Sequence, residues 1–471
     1  MGLPRADALI EDLSPLRRRV LARSPSPAPD LDAAAGWLAG LPDSVFASRS
    51  LKGRGRRTLI QPRGGFARYE EQKQLMLALK AGGADFIPLT IDSHTRQNDY
   101  ETAAILLQRS EVEDRNLLNG YPLVNHGYLV SRGLSEGLER PISLRHGTPD
   151  ARLLVEIALA AGITEIEGGA LTYTLPYTKA HSLAEAVLNW QYVDRLCAMH
   201  STPERPIHRE SFGVLTATLV PPVLVAVVEL CELLLAAEQG VTSFAVSFAQ
   251  TGSLAQDLAL GRVLREASAD YLSRLGLGPV CLHLVYHQWM GAFPRDATRA
   301  LALIAGAAQI AGMIGADKIV TKTKDEAIGI PTAHNNAEAV QLVRYILDRS
   351  SVGAPLTSAH ADEEAHRIRR GLDAIMTAIF DLPPRTFWRS VAMAFDRGLI
   401  DIPFSPHQAN ANQLVSRRGR DDGIYIEQPG RVPLPGDVLA GEAAGLAARH
   451  DTGNTASTFS TLMRDINLMV A

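Results

Sequence analysis

Three arginines stand in the polar or glycine-containing stretches at the ends of short apolar runs of the chain. Arg63, Arg96 and Arg145 each occupy such a position, beside glycine or polar residues typical of turns. A guanidinium group binds a carboxylate through two parallel hydrogen bonds, so three of them in one place favour a small molecule with two carboxylates. Glu167 ends a later run and would pair with an ammonium group. Together with two tyrosines that follow Glu167, the set favours an acidic amino acid as the ligand.

The composition determines how strongly a single basic residue indicates a ligand site. Seven of the 47 basic residues are lysines and 40 are arginines, so a single arginine is most simply a salt-bridged or solvated side chain. The interpretation therefore depends on all three arginines occurring at matched positions. Lys322 and Glu326 also follow an apolar run, and their spacing of four would place both on one helical face if a helix has started there. They are either a surface ion pair or a pair that contacts a ligand.

Short β-rich runs alternate with helix-like segments along most of the chain. Such alternation predicts a parallel sheet with helices outside it, and the number of runs predicts a (β/α)8 TIM barrel. An open doubly wound sheet is the alternative, but it would favour a glycine-rich loop after the first strand, and the sequence has none there. The predicted strands are 58–61, 86–91, 122–125, 142–144, 164–166, 214–220, 244–248, 280–286 and 318–321, and the predicted helices between them are 69–81, 151–161, 182–199, 223–238, 253–275 and 296–315.

The barrel is expected to have an extension at each end. Residues 1–50 read as a helical extension with a proline-rich connector, 51–385 as the barrel with the site, and 386–471 as a C-terminal extension packed on it. In a TIM barrel, catalytic side chains lie where strands end and loops begin. The three arginines and Glu167 are therefore expected to converge at one mouth.

Composition and charge favour a soluble, cytoplasmic protein. Hydrophobic residues make up 46% of the 471, and the formal net charge of −4 gives no general attraction to nucleic acid or to an anionic membrane. The apolar stretches 214–228 and 300–316 contain prolines, or glycines and a glutamine, and are interpreted as buried segments rather than membrane spans. Three widely spaced cysteines indicate a reducing compartment and neither a disulfide framework nor a zinc site.

Beyond these features, the sequence resembles the large (epsilon) subunit family of glutamate mutase, also called methylaspartate mutase. The likeness extends from about residue 57 to 335 and keeps the family's order throughout. It implies a (β/α)8 barrel, in agreement with the alternation of elements. The similar segments are 58–63, 86–92, 95–98, 118–120, 124–127, 145–152, 190–195, 218–222, 289–291 and 326–331.

The resemblance also implies roles for individual residues. It makes Glu167 the residue that meets the substrate amino group and exchanges a proton with it. The substrate-binding residues that it implies are Arg63, Arg96, Arg145, His146, Glu167, Tyr173 and Tyr177. The residues that it implies to contact adenosylcobalamin are Gly65, Asn119, Pro176, Phe293, Lys322, Glu326 and Ile330.

The implied reaction is a radical carbon-skeleton rearrangement of L-glutamate to (2S,3S)-3-methylaspartate, with adenosylcobalamin as the cofactor. This chain has no cobalt ligand of its own, because Gln97 stands where the Asp-x-His-x-x-Gly motif that begins at Asp92 requires glycine. The resemblance therefore implies a small (sigma) cobalamin-binding partner, two large subunits assembling with two small ones. His94, where an aromatic residue is expected, leaves a related dicarboxylate open as the substrate.

Two other classes of function remain open. One is a barrel lyase or aldolase acting on an acidic substrate, with Lys322 or Lys324 as the amine nucleophile. The other is a non-catalytic homologue that binds an acidic ligand or stabilises a partner.

Overall fold

Eight parallel strands form a sheet that curls almost into a closed barrel. The computed structural model describes residues 10–213, 218–349, 358–383, 386–447 and 458–470. The strands follow one another in the order β1-β8-β7-β6-β5-β4-β3-β2, and the N–H groups of Asp85 and Phe86, just before β2, donate to the Ile60 carbonyl of β1. This arrangement confirms the predicted (β/α)8 barrel. The barrel strands are β1 (Leu59–Gln61), β2 (Ile87–Thr90), β3 (Ile142–Arg145), β4 (Glu165–Glu167), β5 (His208–Glu210), β6 (Ser243–Ala249), β7 (Cys281–His287) and β8 (Lys318–Val320).

Helices cover the outside of the barrel and make up most of the regions at the two ends of the chain. All six helices that the apolar spacing predicts are present, with ends that differ from the predicted ones by at most two residues. The helices of the described residues are α1 (Ser14–Leu21), α2 (Leu31–Gly40), α3 (Ala47–Gly53), α4 (Tyr69–Ala81), α5 (Ser93–Arg96), α6 (Tyr100–Val112), α7 (Leu123–Ser131), α8 (Arg152–Ala160), α9 (Leu183–Met199), α10 (Pro222–Glu238), α11 (Leu254–Leu275), α12 (Ala297–Met313), α13 (Ala333–Arg349), α14 (Ala359–Phe380), α15 (Phe387–Asp396), α16 (Gly436–Ala447) and α17 (Thr458–Ile466).

One of the nine predicted strands is wrong, and a second is not a strand in its described part. The run 122–125 begins helix α7, and only Tyr121 before it forms an isolated bridge, with Ile91. Of the run 214–220, residues 214–217 lie outside the described residues and 218–220 are not in a strand. The fifth strand is instead His208–Glu210. Three consecutive polar residues carry no apolar pattern, so the periodicity that identifies strands missed it.

The long helix α10 explains one of the two apolar stretches. Residues 222–236 are buried on every face, because α10 packs between β6 and the helices α9, α11 and α14. A helix that is apolar all round is either buried in this way or spans a membrane. Within the described part of the chain, no helix is both long and apolar enough to span a membrane.

The C-terminal region packs against the helices and the loops at one end of the barrel. Helix α14 lies on α10 and α11, and a hairpin of β9 (Val415–Arg418) and β10 (Ile424–Gln428) follows within residues 401–437, where the polar composition suggests only an extended loop. Arg418 of this hairpin donates to the carbonyl of Thr251, in the loop after β6, at 2.8 Å. The hairpin is thereby joined to the C-terminal end of the barrel.

Candidate active site

Strands β3, β4 and β5 end in charged side chains that the sheet holds side by side. Arg145 ends β3, Glu167 ends β4 and Glu210 ends β5, and Glu167 pairs with Glu210 across the parallel ladder. All three side chains are buried. Buried charges require partners, and these residues supply them to one another.

Arg145 lies between the two carboxylates. Its Nη2 is 2.5 Å from Oε1 of Glu167, and its Nη1 is 2.9 Å from Oε1 of Glu210. Burial alone would lower the pKa of Arg145, but the two carboxylates outweigh it and the pKa is raised. The guanidinium group is therefore permanently charged, and each terminal nitrogen keeps a second N–H for a further acceptor.

Glu167 holds a proton more tightly than an ordinary glutamate does. Burial is the main cause, and with the negative charge of Glu210 it raises the pKa of Glu167 to about 7, against the lowering effect of Arg145. The Tyr173 hydroxyl donates to Oε2 of Glu167. A carboxyl group with a pKa close to neutrality can both accept and release a proton, as general acid–base chemistry requires.

The turn after β4 closes Tyr173 over Glu167. Gly168 has φ +109°, and a Cβ atom there would lie 2.2 Å from the Tyr173 ring, so only glycine fits. Beyond it, the Glu232 carboxylate of α10 accepts hydrogen bonds from the N–H groups of Ala170, Leu171 and Thr172 at 2.8–3.1 Å. The loop that carries Tyr173 is thereby fixed to a buried helix.

His146 is neutral and held by the backbone. Its Nδ1 accepts from the N–H of Thr148 at 3.1 Å, so the ring proton is on Nε2, which donates to the carbonyl of Glu167 at 2.8 Å. Burial lowers the pKa of His146 to about 3. Both ring nitrogens are used in this way, and the ring stacks on Trp190. His146 therefore lines the site as an uncharged wall.

Tyr177 lies close enough to the three predicted arginines for their charges to affect its pKa. Removal from water, followed by the charge of Glu167, raises the pKa of its hydroxyl, whereas Arg63, Arg96 and Arg145 all act to lower it. The Tyr177 ring also lies 6.0 Å from that of Tyr173. Arg145 contacts Glu167, and the other side chains of this set follow the C-terminal ends of β1, β2 and β4, so all six lie at the same end of the barrel.

Two of the arginines have terminal nitrogens available. Arg96 donates through Nε to the carbonyl of Ile91 at 2.7 Å, and its two terminal nitrogens have no hydrogen-bond partner in the described part of the chain. Arg63 is half-exposed and uses Nη1 for Glu326, 3.1 Å away. Asn119 supports Arg96 indirectly, because it accepts from the N–H of Ser93 at the start of α5.

Below the mouth, an ionic layer crosses the barrel interior. Lys318 of β8 is fully buried and contacts Oε1 of Glu165 at 2.5 Å, Oε1 of Gln61 at 2.6 Å, and Glu210. Lys318 and Arg145 lower the pKa of Glu210 against the effect of burial. Carboxylate and imidazole groups of this layer lie close enough together to hold a cation, but Lys318 and Arg145 already supply positive charge between the carboxylates.

Some of the residues implied to contact a cofactor are buried at the same mouth, and others are exposed at its rim. Lys322 is buried, pairs with Glu326 at 2.8 Å and lies 5.3 Å from the centre of the Phe293 ring. Ile330 is 65% exposed, as is its neighbour Ile328 at 68%. Exposed aliphatic side chains beside a buried ion pair suit a large ligand with both polar and apolar parts.

Gly65 and Pro176, which are also implied to contact the cofactor, have other contacts that account for their residue types. A Cβ atom on Gly65 would lie 2.7 Å from the Thr90 carbonyl oxygen, so the close approach to β2 already requires glycine. Pro176 lines a mostly apolar cavity of about 130 Å³ with Phe212 and Phe404.

Several residues of the site were not identified from the sequence. Glu210 lies on β5, the strand that the apolar pattern does not predict. Lys318 begins β8, whereas the predicted site residues all lie at or after the ends of strands. Glu165 and Glu167, like His208 and Glu210, stand two apart in a strand and therefore point to the same face. This alternation of polar residues could have identified the ionic layer.

Comparison with known proteins shows the family of the chain. A sequence profile of the methylaspartate mutase E chain family matches residues 41–471. The chain belongs to this family. Among the family's curated members, the glutamate mutase epsilon subunit of Yersinia enterocolitica is 40% identical over 410 residues, 87% of this chain and 85% of that protein. The glutamate mutase epsilon subunit of Desulfitobacterium hafniense is 38% identical over 441 residues, 93% of this chain and 91% of that one.

Solved structures add little to this family assignment. Tryptophan synthase subunit alpha from Legionella pneumophila aligns with 66% of this chain and 99% of its own, at 13% identity and a TM-score of 0.38. That similarity is too low to support a conclusion, and the barrel is established by its own strand order.

Proposed function

We propose that this chain is the catalytic large subunit of an adenosylcobalamin-dependent glutamate mutase, an isomerase that converts L-glutamate to (2S,3S)-3-methylaspartate. The observation that supports it most directly is the buried contact of Arg145 with Glu167, 2.5 Å apart at the ends of β3 and β4, where Arg63 and Arg96 also follow strands β1 and β2. Three guanidinium groups and one carboxyl group at one mouth complement a molecule with two carboxylates and one ammonium group.

The arginines bind and orient the substrate. Arg96 offers two terminal nitrogens with no partner in the described chain, and Arg145 offers the N–H groups that Glu167 and Glu210 leave unused. A planar guanidinium fork fixes a carboxylate in direction as well as in place. The buried walls of His146 and Tyr173 limit the access of water around the bound molecule.

Glu167 handles a proton at the substrate amino group. With a pKa of about 7 its carboxylate can accept a proton from an ammonium group and return it, and the Tyr173 hydroxyl stabilises the ionised form. Arg145 keeps the carboxylate oriented through the second oxygen. The carboxylate is thereby fixed beside the place where the arginines hold the substrate.

The rim of the mouth fits a large amphipathic cofactor. Lys322 and Glu326 would contact the polar part, while Ile330 and the neighbouring Ile328 offer exposed apolar surface. When bound, adenosylcobalamin supplies the carbon-centred radical that takes hydrogen from the substrate. Asn119 and Phe293 at the same mouth complete the proposed contacts, with Gly65 and Pro176.

A small cobalamin-binding subunit is proposed to cover the mouth and to supply the ligand to cobalt. The motif that begins at Asp92 lacks the required glycine, because Gln97 stands there, and Asp92 instead caps α5 through the N–H groups of His94 and Thr95. We propose an assembly of two large and two small subunits, with the cofactor between unlike subunits.

The decisive experiment is product detection by NMR. The complete mixture holds this chain, a small cobalamin-binding subunit, adenosylcobalamin and L-glutamate, and the controls omit each component in turn. 3-Methylaspartate formed only in the complete mixture would support the reaction, the cofactor and the partner together. Absence of product from a complex shown to assemble would contradict glutamate as the substrate.

A barrel lyase with a nucleophilic lysine is the alternative that one observation favours. Burial lowers the pKa of Lys322, which is what an amine nucleophile requires, although Lys322 also pairs with Glu326. Borohydride trapping of the substrate on this chain, followed by mass spectrometry of the peptide that contains Lys322, separates the two. A trapped adduct formed without cobalamin would favour the lyase.

A further inference from the structure

Cys281 differs from the other two cysteines in its surroundings. Cys197 and Cys231 are buried, and burial raises the pKa of both thiols. Cys281 is exposed and begins β7, whereas His287, near Glu210, ends the same strand. Seven residues of strand span about 20 Å, so Cys281 lies at the opposite end of the barrel from the proposed active site.

Cys281 is the first member of a cysteine–histidine–aspartate series. Its Sγ lies 3.4 Å from Nε2 of His283, and Nδ1 of His283 lies 3.6 Å from Oδ1 of Asp317. His283 and Asp317 are both buried. A nucleophile, a base and a carboxylate that orients the base are the three parts of an activated nucleophile.

Asp317 is fixed firmly enough to orient the histidine. It accepts from the N–H of Leu284 at 2.7 Å and from Arg265 at 2.9 Å, and it pairs with Arg54. These partners keep Asp317 ionised, since its hydrogen bonds and ion pairs lower its pKa against burial. A permanent negative charge beside Nδ1 favours the imidazolium form of His283.

The charges around the thiol favour the thiolate. The hydrogen bond to His283 is the main cause that lowers the pKa of Cys281, and Lys52 also lowers it, while Asp317 acts the other way. The nearby Asp317 carboxylate and the contact with Cys281 raise the pKa of His283 against the effect of burial. His208, whose ring centre lies 5.5 Å from that of His283, is the other titratable group that faces it from β5.

The thiol faces a cavity that a reagent can enter. The cavity has a volume of about 470 Å³ and lies between helix α3, the loop after α9 and the start of β7. Arg49, Lys52 and Glu204 line it with Cys281. A thiolate that is both charged and accessible is the usual site of oxidation in a protein.

We propose that Cys281 is an oxidative modification site, at which hydrogen peroxide converts the thiolate to a sulfenic acid. The thiolate sulfur attacks one peroxide oxygen, the S–O bond forms as the O–O bond breaks, and the sulfur is oxidised by two electrons. The other oxygen leaves as hydroxide and takes the proton of the His283 imidazolium, which gives water. The peroxide is the oxidant, and the step needs neither the proposed substrate nor the proposed cofactor.

The test uses the full chain and hydrogen peroxide. Peroxide-treated protein is labelled with dimedone, which reacts with sulfenic acids, and the label at each cysteine is quantified by mass spectrometry. We expect the label at Cys281, with Cys197 and Cys231 as internal controls that stay unlabelled. Equal labelling of all three, or none at Cys281, would overturn the proposal.

A second measurement follows the thiolate itself. The rate of alkylation of Cys281 by iodoacetamide near pH 7 is expected to be about tenfold above that of N-acetylcysteine, because a larger fraction is ionised. His283→Gln, which keeps the size but removes the base, is expected to lose that advantage with an unchanged thermal unfolding midpoint. A rate for the wild-type chain no higher than that of the free thiol would exclude the activated form, even if the variant fails to fold.

Discussion

Glu167 shows how opposing effects set the chemistry of one residue. Burial and Glu210 favour its neutral form, whereas Arg145 and the Tyr173 hydroxyl favour the charged one, and the result is a pKa of about 7. Either effect alone would leave the carboxyl group permanently protonated or permanently ionised at neutral pH. The balance makes Glu167 the proton-transfer group of the proposed reaction.

The first prediction concerns the pH dependence of kcat/KM for L-glutamate. Only the ionised form of Glu167 can accept a proton, so kcat/KM should rise from about pH 6 to about pH 8 and level off above the pKa. Steady-state kinetics of the assembled complex measure this. Glu167→Gln should lower kcat by about 100-fold or more and abolish the rise, and a flat wild-type profile would count against Glu167 as the base.

The second prediction separates two arginines. Arg145→Lys should raise KM for L-glutamate by about 10-fold or more and also shift the pH profile upward, because one ammonium group cannot neutralise both Glu167 and Glu210. Arg96→Lys should raise KM similarly but leave the profile in place, since Arg96 contacts neither carboxylate. These roles would be contradicted if both variants shifted the pH profile of kcat/KM, or if Arg145→Lys left KM unchanged.

At the scale of elements, the loop after β4 depends on a helix that lies outside the barrel. Residues 168–175 carry Tyr173, and the Glu232 carboxylate of α10 binds three successive N–H groups of this loop and the Thr172 hydroxyl. A loop has no ladder of its own to satisfy its backbone groups, so the carboxylate supplies the missing acceptors. Helix α10 thereby determines where Tyr173 meets Glu167.

The third prediction tests that dependence. Glu232→Ala should lower the free energy of unfolding by about 2–4 kcal/mol and reduce kcat, because several charge-assisted hydrogen bonds and the position of Tyr173 are lost together. Denaturant unfolding and steady-state kinetics are the measurements. Glu238→Gln, near the end of the same helix, is the control, and comparable losses in both variants would contradict a specific role for Glu232.

At the scale of the whole molecule, the ionic layer joins strands that are far apart in the sheet, β1 and β8 near one edge and β4 and β5 near its middle. Lys318 of β8 contacts Gln61 of β1, Glu165 of β4 and Glu210 of β5 across the interior. Arg145 extends the layer from Glu210 up to Glu167. The barrel interior therefore supports the active site electrostatically as well as by packing.

The fourth prediction concerns this layer and its response to pH. Lys318→Met should lower the free energy of unfolding by about 3–5 kcal/mol near pH 8, because Glu165 loses its counter-ion and Glu210 keeps only Arg145. Burial already raises the pKa of Glu165 to about 7, and without Lys318 the pKa values of Glu165 and Glu210 both rise, so the variant takes up more protons than the wild type as the pH falls. Its deficit should accordingly shrink toward about pH 5.

Denaturant unfolding at the two pH values measures the effect. Lys324→Met is the matched control, since Lys324 forms a partly exposed ion pair with Glu338 and should contribute no more than about 1 kcal/mol. A deficit for Lys318→Met that does not change with pH would show that the carboxylates are not the cause.

Much of the fold could be predicted because it depends on local pattern. The helical ranges follow from apolar residues that recur every three or four positions, and seven of the nine predicted runs are strands. The failures have local causes as well: Pro122 is the N-cap residue of α7, so the rest of the run 122–125 lies in a helix, and the fifth strand consists of a histidine, an arginine and a glutamate. Arg209 can be buried there because Asp194 and the carbonyls of Ile166 and Gly168 accept its N–H groups.

The sequence by itself determined the alternation of strands and helices, the placement of Arg63, Arg96, Arg145 and Glu167 after apolar runs, and the family. Only the tertiary structure decided that Arg145 lies between Glu167 and Glu210, and that Lys318 lies beneath them. The physical reason is that burial and distance set the strength of a charge interaction. Both depend on which strands are neighbours around the barrel, and residues far apart in the chain become neighbours only when the sheet curls.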